Sequence, residues 1–168
     1  NVRHDDAQAA SGTTAIKFDG GDYLSVADSS DWSFGRQDFR IEFWFHATAV
    51  STTYAGMFTH IEVPTGYPTD RGLWLTKSNA ELRFYVRDGT NGDIFTELAS
   101  NTLSKDTWYH VAATREGITM KLYLDGSSVG SGSSLWPNYW GVVSRRCWKT
   151  ISTALCAGWL SRSRSDTN

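Results

Sequence analysis

Thr107 to Gly126 reads TWYHVAATREGITMKLYLDG, and the fold follows from it. In its second half Met120, Leu122 and Leu124 alternate with Thr119, Lys121 and Tyr123, the period-two pattern of a strand with one buried face. In its first half Tyr109, Val111 and Ala113 oppose Trp108, His110 and Thr114. Arg115, Glu116 and Gly117 supply a short loop between the halves, with a glycine free to take positive φ. Asp125-Gly126 is a second turn signal. The stretch is expected to be an antiparallel hairpin. A lone hairpin is marginal in water, so its apolar face needs a second sheet against it.

Working outward, the most apolar strand is FRIEFWFH, Phe39 to His46. Phe39, Ile41, Phe43 and Phe45 share one face, and Arg40, Glu42, Trp44 and His46 the other. Two accounts of Glu42 beside Trp44 stand open. Sugars stack on aromatic faces while carboxylates accept from their hydroxyls; equally, Trp44 packs under a loop and Glu42 pairs with a neighbouring arginine. GMFTHIEV, within Tyr54 to Val63, is the next strand, followed by the loop PTGYPTDRG. Loops at a sandwich rim are where binding residues sit, and Tyr67, Asp70, Arg71 and Trp74 are the candidates there. GLWLTK and ELRFYVRDG form another hairpin across Ser78-Asn79, with Leu82, Phe84 and Val86 inward and Arg83, Tyr85 and Arg87 outward. DGTNGD, Asp88 to Asp93, ends it, and Ile94 to Asp106 is less regular.

Toward the N-terminus, AIKFDGGDYLSV gives two short strands, Ala15 to Phe18 and Tyr23 to Val26, around Asp19-Gly20-Gly21-Asp22. Aspartates in such turns cap their own backbone; the alternative is calcium ligation, with Asp19, Asp22, Asp88 and Asp93 as ligands. Trp32 and Phe34 are expected to tuck under the sandwich edge. Residues 1–14 lack periodicity and read as a flexible arm or linker. The chain begins with Asn1, which points to a processed or cropped N-terminus.

The 168 residues suit one domain with a single core. A net charge of −2 with 20% charged residues leaves no electrostatic footprint for nucleic acid and no basic patch for anionic membranes. No apolar run is long enough to cross a bilayer, and no signal peptide is evident. Fifteen glycines against three prolines suit many short strands joined by turns. The two cysteines, Cys147 and Cys156, form one disulfide or remain thiols according to compartment.

AIKFDGGDYLSVADSSDWSFGRQDFRIEFWFH, LRFYVRDGT and LSKDTWYHVAATREGITMKLYLDGSSVGSG, in that order and spacing, resemble the laminin G-like, concanavalin A-like jelly rolls, especially their bacterial and phage subgroup. The resemblance covers residues 15–132 and implies an all-β, two-sheet antiparallel jelly-roll sandwich. Residues 133–168 depart from it. Where that family closes with a strand returning beside the first, this chain reads SSLWPNYWGVVSRRCWKTISTALCAGWLSRSRSDTN. Codon degeneracy permits a closing strand in a shifted frame near Ser134; the other account is a divergent tail that folds over the sheet or mediates oligomerisation.

The glucanase type of this fold uses a Glu-x-Asp-x-x-Glu strand as nucleophile and acid, and that spacing does not occur here. Neither does metal-ligand spacing among the histidines, a Gly-x-Ser-x-Gly elbow or a phosphate loop. The expectation is a non-catalytic binding or adhesion module for glycans in an extracellular or virion-surface protein. It would use the rim loop and a sheet face bearing Trp44, Arg83, Tyr85 and Tyr123, with no required cofactor. The alternative is a structural virion component, a capsid decoration or tail-associated protein that docks on other surface proteins.

Overall fold

Burial alternates along the strands as their sequences require, and the alternation fixes which face of each sheet meets the core. The structure, a computed structural model, describes residues 3–5, 9–10, 12, 14–18, 23–27, 37–48, 55–63, 71–78, 80–88, 93–99, 103–133 and 155–157. Its strands are β1 (Arg3–Asp5), β2 (Ala15–Lys17), β3 (Phe39–Ala47), β4 (Ala55–Val63), β5 (Arg71–Ser78), β6 (Glu81–Asp88), β7 (Asp93–Ala99), β8 (Thr107–Glu116), β9 (Thr119–Leu124), β10 (Ser127–Ser133) and β11 (Leu155–Ala157). They form a seven-stranded sheet, β1-β2-β11-β3-β8-β9-β10, and a four-stranded sheet, β4-β5-β6-β7, in which neighbouring strands are antiparallel. Phe39, Ile41, Phe45, Val111, Met120 and Leu122 from the first sheet join Met57, Leu75, Leu82, Phe84 and Val86 from the second in one buried cluster. The architecture is therefore the expected all-β, two-sheet sandwich. Among the described residues there is no helix long and apolar enough to cross a membrane.

The hairpin of the opening stretch forms with a shorter connection than Arg115–Gly117. Strand β8 runs on through Glu116, and the turn is Gly117-Ile118, with Gly117 at φ +58°. Its Arg115 side chain is buried and donates through Nε to the Gly117 carbonyl at 2.8 Å, while Asp38 Oδ1 accepts the Gly117 N–H at 2.7 Å. At the other end of β9 both Asp125 (φ +49°) and Gly126 (φ +79°) take the left-handed conformation, as a two-residue primed turn demands. Asp125 Oδ1 accepts the His110 N–H at 2.8 Å, and the Asp125 N–H donates to the His110 carbonyl, also at 2.8 Å. An alanine there loses the side-chain acceptor and strains the left-handed backbone, so Asp125→Ala is expected to destabilise by about 1–2 kcal/mol, read as a lower urea midpoint.

Two other expectations change. Tyr23 to Val26 is not a strand: residues 23–27 are irregular, with Tyr23, Leu24 and Val26 40–48% exposed. The irregular stretch after Asp93 contains β7, paired along β6 with a register shift between Val86 and Arg87. Its sequence, DIFTELA, carries apolar residues at both parities and so shows no period of two. Near the N-terminus β1 pairs with β2 through Arg3↔Lys17, His4↔Ile16 and Asp5↔Ala15. The tail contributes β11, which lies between β2 and β3 with Leu155 opposite Lys17 and His46.

Lys77 stands on the inner face of β5, in register with Ala55 and Leu82, and is 1% exposed. Burial lowers its pKa below the ordinary lysine value of 10.5, because an ammonium is poorly solvated there. The unfolded chain thus holds this proton to higher pH than the folded protein does. Stability from this group rises as pH climbs toward 10.5 and is lost as pH falls. Urea titrations of wild type and Lys77→Met between pH 8 and 10.5 are expected to show the wild type gaining on the variant as pH rises; parallel curves would contradict this.

Candidate functional site

On the solvent side of the seven-stranded sheet, register brings functional groups from β3, β8 and β9 into rows. Trp44 lies opposite His110; Glu42 lies opposite Ala112, which lies opposite Tyr123; Arg40 lies opposite Thr114, which lies opposite Lys121. Directly opposed residues of an antiparallel pair share a face. The inner positions of these strands fill the core, so the row residues face outward.

Glu42 is the centre of the charges. Its Oε2 accepts from Arg40 Nε at 2.8 Å and from Arg40 Nη2, and His110 Nε2 lies 3.4 Å from the same oxygen. Oε1 takes part in none of these contacts. The His110 ring in turn meets the Trp44 indole, with centroids 5.2 Å apart and planes tilted by 53°. Trp44 is 37% exposed. As an ion pair, Arg40–Glu42 contributes little to stability, since the Arg40 side chain is 51% exposed. Its effect is positional: it holds one carboxylate oxygen of Glu42, two residues along the same face of β3 from the exposed Trp44. One part of the structural account of this strand is correct, the pairing of Glu42 with a neighbouring arginine; Trp44, however, is not buried.

The next residues along the same strands repeat the motif. His46 lies opposite Trp108, with ring centroids 5.3 Å apart and planes tilted by 60°. His46 is buried, and its Nδ1 has no hydrogen-bond partner; Trp108 is partly exposed.

The four residues assigned to one aromatic and charged face do not share it. Trp44 and Tyr123 project from the seven-stranded sheet, whereas Arg83 and Tyr85 project from the opposite, outer side of the four-stranded sheet. The reason is topological: β6 belongs to the other layer, and alternation within a strand does not reveal which layer it joins. On that second face Arg83 Nη2 lies 3.8 Å from Glu81, and the Arg87 guanidinium sits 4.9 Å from the Tyr85 ring centroid. Of the rim candidates, Tyr67 and Asp70 lie outside the described residues. Arg71 and Trp74 are strand residues of β5, Arg71 opposite Val63 and Asp88, Trp74 opposite Thr59 and Tyr85. For calcium, Asp19 and Asp22 lie outside the described residues, as do Trp32 and Phe34. Asp88 ends β6 and Asp93 begins β7. Among the described residues no group of three His, Cys, Asp or Glu is placed to hold a metal.

Sequence reasoning missed His110 and Arg40 as site residues. The alternation of TWYHV puts His110 and Trp108 on one face, but the pairing of that face with Trp44 depends on the β3–β8 register, which no local pattern reveals.

The fold has known relatives. The profile of the concanavalin A-like lectin/glucanases superfamily matches residues 18–145. No curated protein matches the sequence. Among solved structures, the CBM40 of Ruminococcus gnavus IT-sialidase bound to α2,3-sialyllactose superposes with a TM-score of 0.60 at 11% identity, covering 90% of this chain and 92% of that one. Mouse laminin α1 domains LG4-5 give 0.51 at 19% identity, covering 88% and 34%. A carbohydrate esterase from Shiga toxin-encoding bacteriophage phi24B gives 0.54 at 11% identity, covering 93% and 86%. At these identities the likeness is one of fold. The match of the family profile over most of the chain places it by sequence as well: the chain belongs to the concanavalin A-like lectin/glucanases superfamily.

Proposed function

We propose that the chain is a non-catalytic glycan-binding module of an extracellular or virion-surface protein, with its site on the outer face of β3, β8 and β9. The observation that carries this is the exposed Trp44 indole beside a carboxylate whose Oε2 is held by Arg40 while Oε1 is not. An indole of this kind offers a flat apolar face to the C–H side of a pyranose ring. Oε1 of Glu42 accepts from its hydroxyls, and the Arg40 guanidinium donates. Tyr123, across Ala112 from Glu42, bounds the platform on β9. The solved structure of a similar fold holding sialyllactose supports the ligand class. The sequence lacks the glucanase carboxylate spacing, so binding without turnover is the assignment. Tyr67, Asp70, Arg71 and Trp74 are assigned a lesser, peripheral part.

A glycan array followed by calorimetry on the strongest hit tests this. Trp44→Ala is expected to weaken binding by about tenfold or more, and Tyr85→Ala, on the opposite face, to leave it unchanged. Absence of binding above background at millimolar sugar would remove the proposal.

A further inference from the structure

We infer that the site holds two consecutive sugar residues rather than one, with Trp108 as the second platform; this rests on the glycan-binding reading above. The observation is the repeated pair. Trp44 against His110 and Trp108 against His46 are successive cross-strand Trp–His contacts on one sheet face, with the order reversed between strands. The two indoles are therefore diagonal neighbours, positions that lie about 7–8 Å apart in an antiparallel pair. A pyranose ring is close to an aromatic ring in size, so this separation suits adjoining residues of one oligosaccharide. Each indole N–H is a donor for a sugar hydroxyl. Each indole also has a histidine ring that fixes its tilt, which limits the side-chain freedom lost on binding.

The charged groups favour an uncharged ligand. The Arg40 charge is matched by Glu42. Stacking and hydroxyl contacts, rather than a charge on the sugar, set the affinity. The ligand is thus an oligosaccharide of at least two residues running across β3 and β8, with its binding residues uncharged. His46 reports the second platform, because its ring lies against the Trp108 indole at 5.3 Å between centroids.

The test is calorimetry with glucose, cellobiose and cellotriose, and with galactose, lactose and 3′-sialyllactose, on wild type, Trp44→Ala, Trp108→Ala and Trp108→Phe. The melting temperature of each variant establishes that it is folded, and Trp108→Phe keeps an aromatic ring should alanine fail. In the series that binds, the disaccharide is expected to bind about 2- to 10-fold more tightly than the monosaccharide. Trp108→Ala should erase that gain and leave monosaccharide binding intact, whereas Trp44→Ala weakens both. The His46 imidazole ¹⁵N signals should move with disaccharide and stay with monosaccharide. Equal affinities for one and two residues, or a disaccharide gain that survives loss of the Trp108 ring, would overturn the inference and leave the glycan-binding reading standing. Binding of none of the six sugars would overturn both.

Discussion

Replacing Phe45 with alanine is expected to lower the unfolding free energy by about 3–5 kcal/mol. Phe45 is fully buried, at 0% exposure, on the inner face of β3, and its ring packs on Tyr109 at 5.7 Å between centroids. Its neighbours come from both sheets and are held by strand ladders on either side. Such a site relaxes poorly around a cavity, so the full transfer and cavity terms apply. Domains of this size have about 5–15 kcal/mol in all, and the variant is expected to lose a large share of it. Urea unfolding followed by Trp fluorescence measures the loss; a change below 1 kcal/mol would mean that β3 is not at the centre of the core.

The second large effect concerns β11. Cys156 is the middle residue of this three-residue strand, with Ile16 on one side and Phe45 on the other. Proline at 156 has no N–H to give and so removes a ladder hydrogen bond inside a sheet. The stranded acceptor contributes about 1–3 kcal/mol of destabilisation, and the ring's steric demands add to it. Cys156→Ser, which keeps the backbone donor, should fall well short of this. The comparison also bears on the two accounts of the tail. A tail that folds onto the sheet makes Cys156→Pro strongly destabilising; a tail out of frame, with no part in the fold, makes it silent.

The hairpins were legible because one face of each strand is apolar and the other is not. Met120, Leu122 and Leu124, and Leu82, Phe84 and Val86, announced their inner positions from spacing alone. Strand β7 was not legible, since DIFTELA is apolar at both parities, and neither was β11, since LCA is too short to show any period. Tyr23, Leu24 and Val26 failed in the opposite way: they have β propensity, yet residues 23–27 are irregular, and propensity alone does not make a sheet. At the site, Trp44 and Glu42 were readable as strand neighbours. Their partners His110 and Arg40 became evident only with the β3–β8 register, and the separation of Tyr85 from Trp44 only with the assignment of strands to layers.

The most direct test of the central claim, that glycans bind the outer face of β3, β8 and β9, is a map of ¹⁵N chemical shifts during titration with the strongest array hit. The account predicts perturbations at the Trp44 and Trp108 indoles, at His110 and at Tyr123, with Arg83, Tyr85 and Arg87 unmoved. Perturbations centred on Tyr85 and Arg87, or on the loop of Tyr67 and Asp70, with Trp44 unmoved, would contradict it.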